Sequence, residues 1–487
     1  MLHSKRITAL LLLAAMFMTA SCGSSDTPSD TTASGGSDTT ADTAELTGRD
    51  AVQNNLPDNL DFKGDTVTVL TRSDEDFREE FWADEQNGEI INDLIYDRNS
   101  YVSETLNCKI EVISQPGNYN DRNTFMNAVR SAVQAGDDTY DVISYYAYAA
   151  PVMATEGILM NLYDVENLSL DKPWWHQRFI DAAEVYDKLY LVAGDICLST
   201  VSYRTAMFFN KNKAEEYIDE DLYALVDEGK WTLDKFWSCV KDVYLDLNGD
   251  TKEDELDFYG WDANGAFDPY STGADLKYTQ ATSDGGYEWV FNTEKNDGII
   301  EDFYTRTHSK GVWFIDEHNE QNFIDGLRIF YARPFSYAEK LRDMSDDYGI
   351  LPMPKYDEDQ EDYYSMVSDH YSQIMVPVTC KDTALVGAFL ELMGEYSYKK
   401  ITPAYYDTTV KGKYLRDDDS ARMFDLIVEG AWYDFATINS TVVGDPVFIT
   451  RNAMQHKETE SFAALYASNE SALNEKLTGL LETYKNS

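Results

Sequence analysis

The chain has 487 residues, 43% of them apolar, and a formal net charge of −47. At about 150 residues per domain this is enough for two to four domains with large cores. A charge of that size repels phosphate backbones and anionic lipid, which excludes nucleic acid and electrostatic adhesion to a membrane. Aromatic residues are plentiful, with 34 Tyr and 9 Trp, so core packing is the better account of most single rings.

Lys5 and Arg6 precede an apolar run, Ile7 to Met18, and then Thr19-Ala20-Ser21-Cys22. A basic start, a short apolar run and small residues before a cut mark a secretory signal over residues 1–21. The run is too short to span a bilayer. The Cys at the cut resembles a bacterial lipoprotein signal, although Thr19 stands where Leu is usual, and the resemblance implies diacylation of Cys22. Residues 22–60 are mostly Gly, Ser, Thr, Asp, Ala and Asn. They bury too little to fold and are expected to form a disordered tether, about 35 Å end to end. Cys108, Cys197, Cys239 and Cys380 match no metal spacing. Two disulfides and free buried thiols both stay open.

The folded part opens with Asp65–Thr71, whose Val67 and Val69 share one strand face. Ile90, Ile91, Leu94, Ile95, Val102 and Leu106 keep helical spacing. Strands follow at Lys109–Ile113 and Asp141–Ile143, with a helix through Phe125, Val129 and Val133 that stops at Gly136. This rhythm predicts a parallel sheet, with ligands beyond the carboxyl ends of its strands. Arg72, Asp74, Tyr145, Tyr146 and Tyr148 fall at that rim.

Leu189 to Lys211 then reads as a strand, a Ser/Thr/Tyr link that can run extended, and a second apolar run, Ala206–Phe209. We read it as the first crossing between two lobes. Beyond it, Thr232 caps a helix carrying Leu233, Phe236, Trp237 and Val240. The run Asp246 to Asp257 places oxygen side chains at the loop positions calcium uses: Asp246, Asn248, Asp250, Asp254 and Asp257. Thr251 replaces the usual Gly and Asp257 the usual Glu. The run is either a structural calcium site or a solvated acidic loop; no other cofactor is required. Tyr259–Tyr278 is a long aromatic loop of the kind that binds ligands. Strand candidates follow at Leu327–Tyr331, Gly349–Lys355 and Ser372–Val378. Helices follow with Leu385, Phe389, Leu392 and Met393 after Asp382, with Met423, Phe424 and Ile427, and with Leu473, Leu477, Leu480 and Leu481 as a docking helix.

Ala206, Met207, Phe208 and Asn210 fit the core of a signature, with Phe209 in place of Tyr. Four further stretches agree in order: YDVISYYAYAAPVMATEGILMNLYDV at 140–165, KWTLDKF at 230–236, YGILPMPK at 348–355 and ITPAYYD at 401–407. Together they resemble family 1 bacterial extracellular solute-binding proteins, the sugar-type receptors of ABC importers, over about residues 62 to 440. The resemblance implies an α/β, two-lobed periplasmic-binding-protein-like (type II) fold with extended hinge crossovers. Lobe 1 is expected over 61–200 plus 346–398, and lobe 2 over 201–345 plus 399–487. It implies a carbohydrate ligand in the cleft, ABC permease partners, a monomer, and a place outside the cytoplasm, lipid-anchored at the outer face of the cell membrane.

Sugars offer hydroxyls to planar groups and CH faces to rings. Stacking candidates are Trp174, Trp175, Trp261, Phe335 and Trp432. Hydroxyl-bonding candidates are Arg72, Asp74, Asp195, Asp268 and Arg333. A carbohydrate-active enzyme is the rival reading, as is a surface glycan-binding lipoprotein without a transporter. The chain has no HExxH, no GxSxG and no Gly-rich phosphate loop, so we expect no enzyme. If the lipoprotein resemblance holds, Cys22→Ala releases the protein into the medium, and intact-mass measurement of the unaltered chain finds a lipidated Cys22 at its start. An unmodified start elsewhere contradicts it.

Overall fold

The computed structural model describes residues 48–314, 320–407, 418–456 and 461–487. The signal segment 1–21, Cys22 and the tether as far as residue 47 lie outside the described residues. The last part of the expected tether is not a free coil. Val52, Leu56 and Leu60 pack against the core. Arg49 donates to the carbonyl of Tyr398, Lys172 reaches the carbonyl of Gln53 at 2.7 Å, and Lys400 pairs with Asp50. Three spaced apolar residues and a few backbone acceptors suffice to dock this segment, a signal that its polar composition conceals.

The first sheet has the order β13-β3-β1-β2. It is built from β1 (Thr66–Arg72), β2 (Lys109–Gln115), β3 (Val142–Tyr146) and β13 (Ser372–Met375). β1 runs parallel to both neighbours, with Val67 opposite Ile110 and Val69 opposite Val142. All of β3 is buried, as expected of a central strand covered on both faces. The helices Ile90–Leu106 and Arg122–Ala135 end at Asn107 and Gly136, both at positive φ, which closes each helix with a left-handed residue.

The second sheet comprises β4 (Thr205–Asn210), β5 (Tyr244–Leu245), β6 (Phe258–Asp262), β9 (Val312–Trp313), β10 (Arg328–Pro334) and β11 (Tyr348–Leu351). Its order is β11-β4-β10-β6-β5, with β9 on β6. β4 lies antiparallel between β10 and β11 and is buried throughout. Two small ribbons complete the strands: β7 (Thr279–Ala281) with β8 (Tyr287–Trp289), and β12 (Ser365–Met366) with β14 (Ala431–Trp432). The Thr232 cap is present, its hydroxyl accepting from the amide of Lys235 at 3.3 Å. Asp382 likewise caps its helix through the amide of Leu385. The C-terminal helix, Phe462–Asn486, buries Leu473, Leu477 and Leu480. It is fastened by Lys188 on the carbonyl of Tyr484 and by Tyr190 on Ser487. Cys108, Cys197, Cys239 and Cys380 are buried free thiols.

Two expectations about the crossings change. The Ser/Thr/Tyr link is not extended but forms a helical turn, Ser199–Ser202. Thr200 Oγ1 bonds the carbonyl of Cys197 at 2.8 Å, and the amide of Ser199 donates to Glu80 at 2.6 Å, so local side-chain bonds outcompete the extended form. Tyr348–Leu351, expected with the segment returning to the first lobe, pairs with β4 in the second sheet. A strand apolar on both faces does not announce its partner. The return runs later, where Val367 bridges Arg204 and the amide of Ser368 donates to the carbonyl of Tyr203 at 2.9 Å.

One buried carboxyl in the first core has a measurable consequence. Glu391 is fully buried and accepts from the amide of Ser169 at 3.2 Å and from Trp174 Nε1 at 3.4 Å. Burial raises it from the usual 4.5 to about 7. A group raised on folding favours the folded state below its unfolded value, and that stability is lost as pH rises through the folded value. Over about pH 4.5 to 7 the loss is on the order of 3 kcal/mol. Glu391→Gln is therefore expected to be more stable than the unaltered chain at pH 8 and nearly equal at pH 5, by urea denaturation. An equal difference at both pH values contradicts this.

Candidate functional site

A cavity of about 1200 Å3 lies between the two sheets. Its first wall is the carboxyl end of β3 and the loops beside it. There Tyr119, Tyr148, Tyr146, His370 and Tyr203 form a continuous row of rings, with successive centroids 5.6, 5.7, 5.7 and 5.8 Å apart. Burial lifts the hydroxyls of Tyr146 and Tyr148 above the ordinary tyrosine range, so both stay neutral hydrogen-bonding groups at any physiological pH. The facing wall comes from the helix Phe267–Gly273, the end of β10, and the helix Pro446–His456. Asp268 accepts Arg451 Nε at 2.8 and 3.0 Å, with a further contact from Nη2. Arg333 donates to the carbonyls of Asn264 and Ala332 at 2.7 and 2.8 Å and lies over the ring of Tyr331. Trp432, on β14, donates to Asp275 at 3.3 Å.

Tyr146, Tyr148, Asp268, Arg333 and Trp432 are thus brought together, and the other expected site residues are not. Arg72 is fully buried behind the first wall. Its guanidinium donates to the carbonyl of His370 at 2.6 Å and to Ser372 Oγ at 3.3 Å, and lies over the ring of Phe77. Asp74 starts a turn whose amides, from Phe77 and Arg78, take its carbonyl, and it does not line the cavity. Tyr145 alternates to the opposite face from Tyr146 and stacks on Phe125 at 3.9 Å. Trp174 and Trp175 are core residues. The turn beneath them needs a glycine, because a Cβ on Gly194 would lie 2.4 Å from the carbonyl oxygen of Trp174. Trp261 is fully buried among Phe236, Phe303 and Tyr270. Phe335 packs on Phe424 at 4.4 Å. Asp195 stands one residue back: its carboxylate lies 3.7 Å from His176 Nε2, and His176 Nδ1 lies 3.5 Å from the hydroxyl of Tyr433, which does line the cavity.

Sequence reasoning missed Tyr119, Tyr203, Tyr337, Asp369, His370, Tyr433 and Arg451. For Asp369 and His370 a signal existed. They sit in a polar run just before an expected strand, and β13 is antiparallel to β3, so its amino end meets the carboxyl end of β3. Finding them required the strand order.

The side chains of the acidic loop mostly bond within the loop itself. Asp246 accepts from the amides of Gly249 and Thr251, Asn248 from Asp250, Asp250 from Lys252, and Asp254 from Leu256. Asp257 accepts from the amide of Leu247 and the hydroxyl of Tyr244. The oxygens serve their own backbone turns, and among the described residues no group of three or more His, Cys, Asp or Glu side chains converges as a ligand set. A calcium site is therefore not shown here.

The model of the family described as bacterial extracellular solute-binding protein matches residues 99–400, more than half of the chain. The chain belongs to this family. Its members are binding proteins, not enzymes. No curated protein sequence matches the chain. Among solved structures, this solute-binding protein is similar to a cyclo/maltodextrin-binding protein complexed with maltotetraose, at 12% identity and a TM-score of 0.56, over 86% of this chain and 97% of that one. It is also similar to the GacH receptor of Streptomyces glaucescens, solved with acarbose, at 14% identity and a TM-score of 0.54, over 85% and 99%. An ABC substrate-binding protein from Listeria monocytogenes in complex with cycloalternan matches at 13% identity and a TM-score of 0.51, over 87% and 99%. At these identities the likeness establishes the fold, the two-lobed α/β arrangement of binding proteins. No helix among the described residues is long and apolar enough to cross a membrane.

Of the stacking candidates, Trp261 is fully buried and Trp432 only partly so. Trp261→Ala is expected to cost about 3–5 kcal/mol of stability, the penalty for emptying a core site, whereas Trp432→Ala costs less than half as much. Urea denaturation of both variants checks this, and equal losses contradict the placement.

Proposed function

We propose that this protein is the extracytoplasmic substrate-binding lipoprotein of an ABC importer, and that it holds a carbohydrate in the cavity between its lobes without altering it. The observation that carries the reading is the chemistry of the cavity wall. A row of tyrosine rings with neutral hydroxyls faces an ion pair and a buried guanidinium, which supply planar hydrogen-bonding groups. Rings suit the CH faces of a pyranose, and planar donors and acceptors suit its hydroxyls. Asp268 and Arg451 satisfy each other, which favours an uncharged ligand. The solved proteins that share the fold were complexed with maltotetraose, acarbose and cycloalternan, in keeping with this ligand class.

In this reading the first lobe carries the first sheet and the second lobe the second sheet, with crossings at 199–204 and 366–371. Ligand draws the lobes together, and the closed form is what permease subunits recognise. Cys22 tethers the receptor to the membrane, and no cofactor takes part.

Calorimetry of the purified chain against mono- and oligosaccharides, with chromatography of the mixtures afterwards, tests the reading. Saturable binding with the glycan recovered unchanged is expected. Trp432→Ala is expected to weaken binding by about 1–3 kcal/mol, the value of burying one large apolar side chain. Turnover of the glycan, or binding of peptides alone, overturns the carbohydrate receptor.

A further inference from the structure

A second cavity of about 320 Å3 adjoins the first, and Tyr148 and Asp445 line both. Its outer side is the first turn of the helix Arg122–Ala135, with Arg122 and Asn123, and Arg130 lies about two turns further along the same side. Arg130 is fixed in place by two bonds to Glu156, at 2.7 and 2.6 Å. Arg122 lies 4.4 Å beneath the ring of Tyr119, the first ring of the row along the main cavity. Thr441 closes the far side, its hydroxyl donating to the carbonyl of Tyr148 at 3.2 Å. The floor is apolar, from Met126 and Val152.

Two guanidinium groups, an amide, a carboxylate, one aromatic ring and an apolar floor repeat the chemistry of the main cavity on a smaller scale. The volume sits at the low end of ligand pockets, about 300–1000 Å3, enough for one monosaccharide unit. We propose that the second cavity is an outer subsite that takes one sugar unit of an oligosaccharide whose other units occupy the main cavity. The protein then selects longer chains over their shorter members. The inference rests on the carbohydrate reading above and goes beyond it by fixing where the chain leaves the main cavity, past Tyr148 and Asp445.

The test uses homologous series of two to six units, α-1,4-glucosyl, β-1,4-glucosyl, β-1,4-xylosyl and β-1,4-mannosyl, titrated into the unaltered chain and two variants. Asn123 is exposed, so Asn123→Trp fills the second cavity without entering the core. Arg122→Ala removes a planar donor and the support of Tyr119. In the series that binds, the longest members are expected to bind the unaltered chain at least about tenfold more tightly than the shortest, a step of about 1.4 kcal/mol. Asn123→Trp is expected to abolish that ratio while leaving the shortest bound member within about twofold, and Arg122→Ala to reduce it. A variant effect equal at every length, or a wild-type affinity that does not depend on length, overturns the outer subsite and leaves the receptor reading standing. Failure of every series to bind the unaltered chain overturns both.

Discussion

The two crossings between the sheets are held together where they leave the first sheet. The amide of Ser372, on the return, donates to Ser199 Oγ on the outward crossing at 3.0 Å, and the amide of Ser199 donates to Glu80 at 2.6 Å. Arg72 completes the cluster through the carbonyl of His370 and the hydroxyl of Ser372. All four side chains are buried. Burial pushes the Glu80 carboxyl up and the Arg72 guanidinium down, while each counters the other's shift. Such groups are costly to bury singly, and each here bonds at least one other member or a nearby backbone group, while Arg72 Nε and Glu80 Oε2 stay without a hydrogen-bond partner. Arg204 repeats the arrangement on the other side, where it bonds the carbonyls of Thr200 and Val428 beside its bridge to Val367.

This cluster shapes the site as well as the connection. Because the return strand is antiparallel to β3, the clamp sets His370 beside Tyr146 and over Tyr203. One wall of the cavity is therefore built on the paired crossings themselves. Under the proposed function, a ligand lying against that row would touch the crossings about which the lobes close, so occupancy and closure need no separate relay. The facing wall is held differently, by the Asp268–Arg451 ion pair and by the bonds of Arg333 to backbone carbonyls, so its charges are spent before any ligand arrives.

Periodicity made much of the fold legible. The alternation of Val67 and Val69, the caps at Thr232 and Asp382, and the stop at Gly136 are local signals, and each element stands where they place it. The family resemblance in the 140–165 and 348–355 stretches agrees with the family found. What stayed hidden depends on partners distant in sequence. Tyr348–Leu351 looks the same whether it joins either sheet. Trp174, Trp175 and Trp261 offer the composition of a sugar site, yet they fill cores, because a large ring serves both purposes equally well. Tyr146 and Tyr148 were visible at a strand end, whereas Tyr203, His370 and Arg451 reach the cavity through crossings and helices whose positions the sequence pattern leaves open.

The central claim is that the lobes close on a glycan about the paired crossings. The distance between spin labels on the two sides of the cavity measures it most directly. Asn120 and Glu339 are exposed near the two walls, and the four cysteines of the described residues are buried, so labels at Asn120→Cys and Glu339→Cys, with Cys22→Ala, report on the cleft alone. The account predicts a single shift to a shorter distance when a bound oligosaccharide saturates the protein, reversed when the sugar is removed. An unchanged distance at saturation contradicts it.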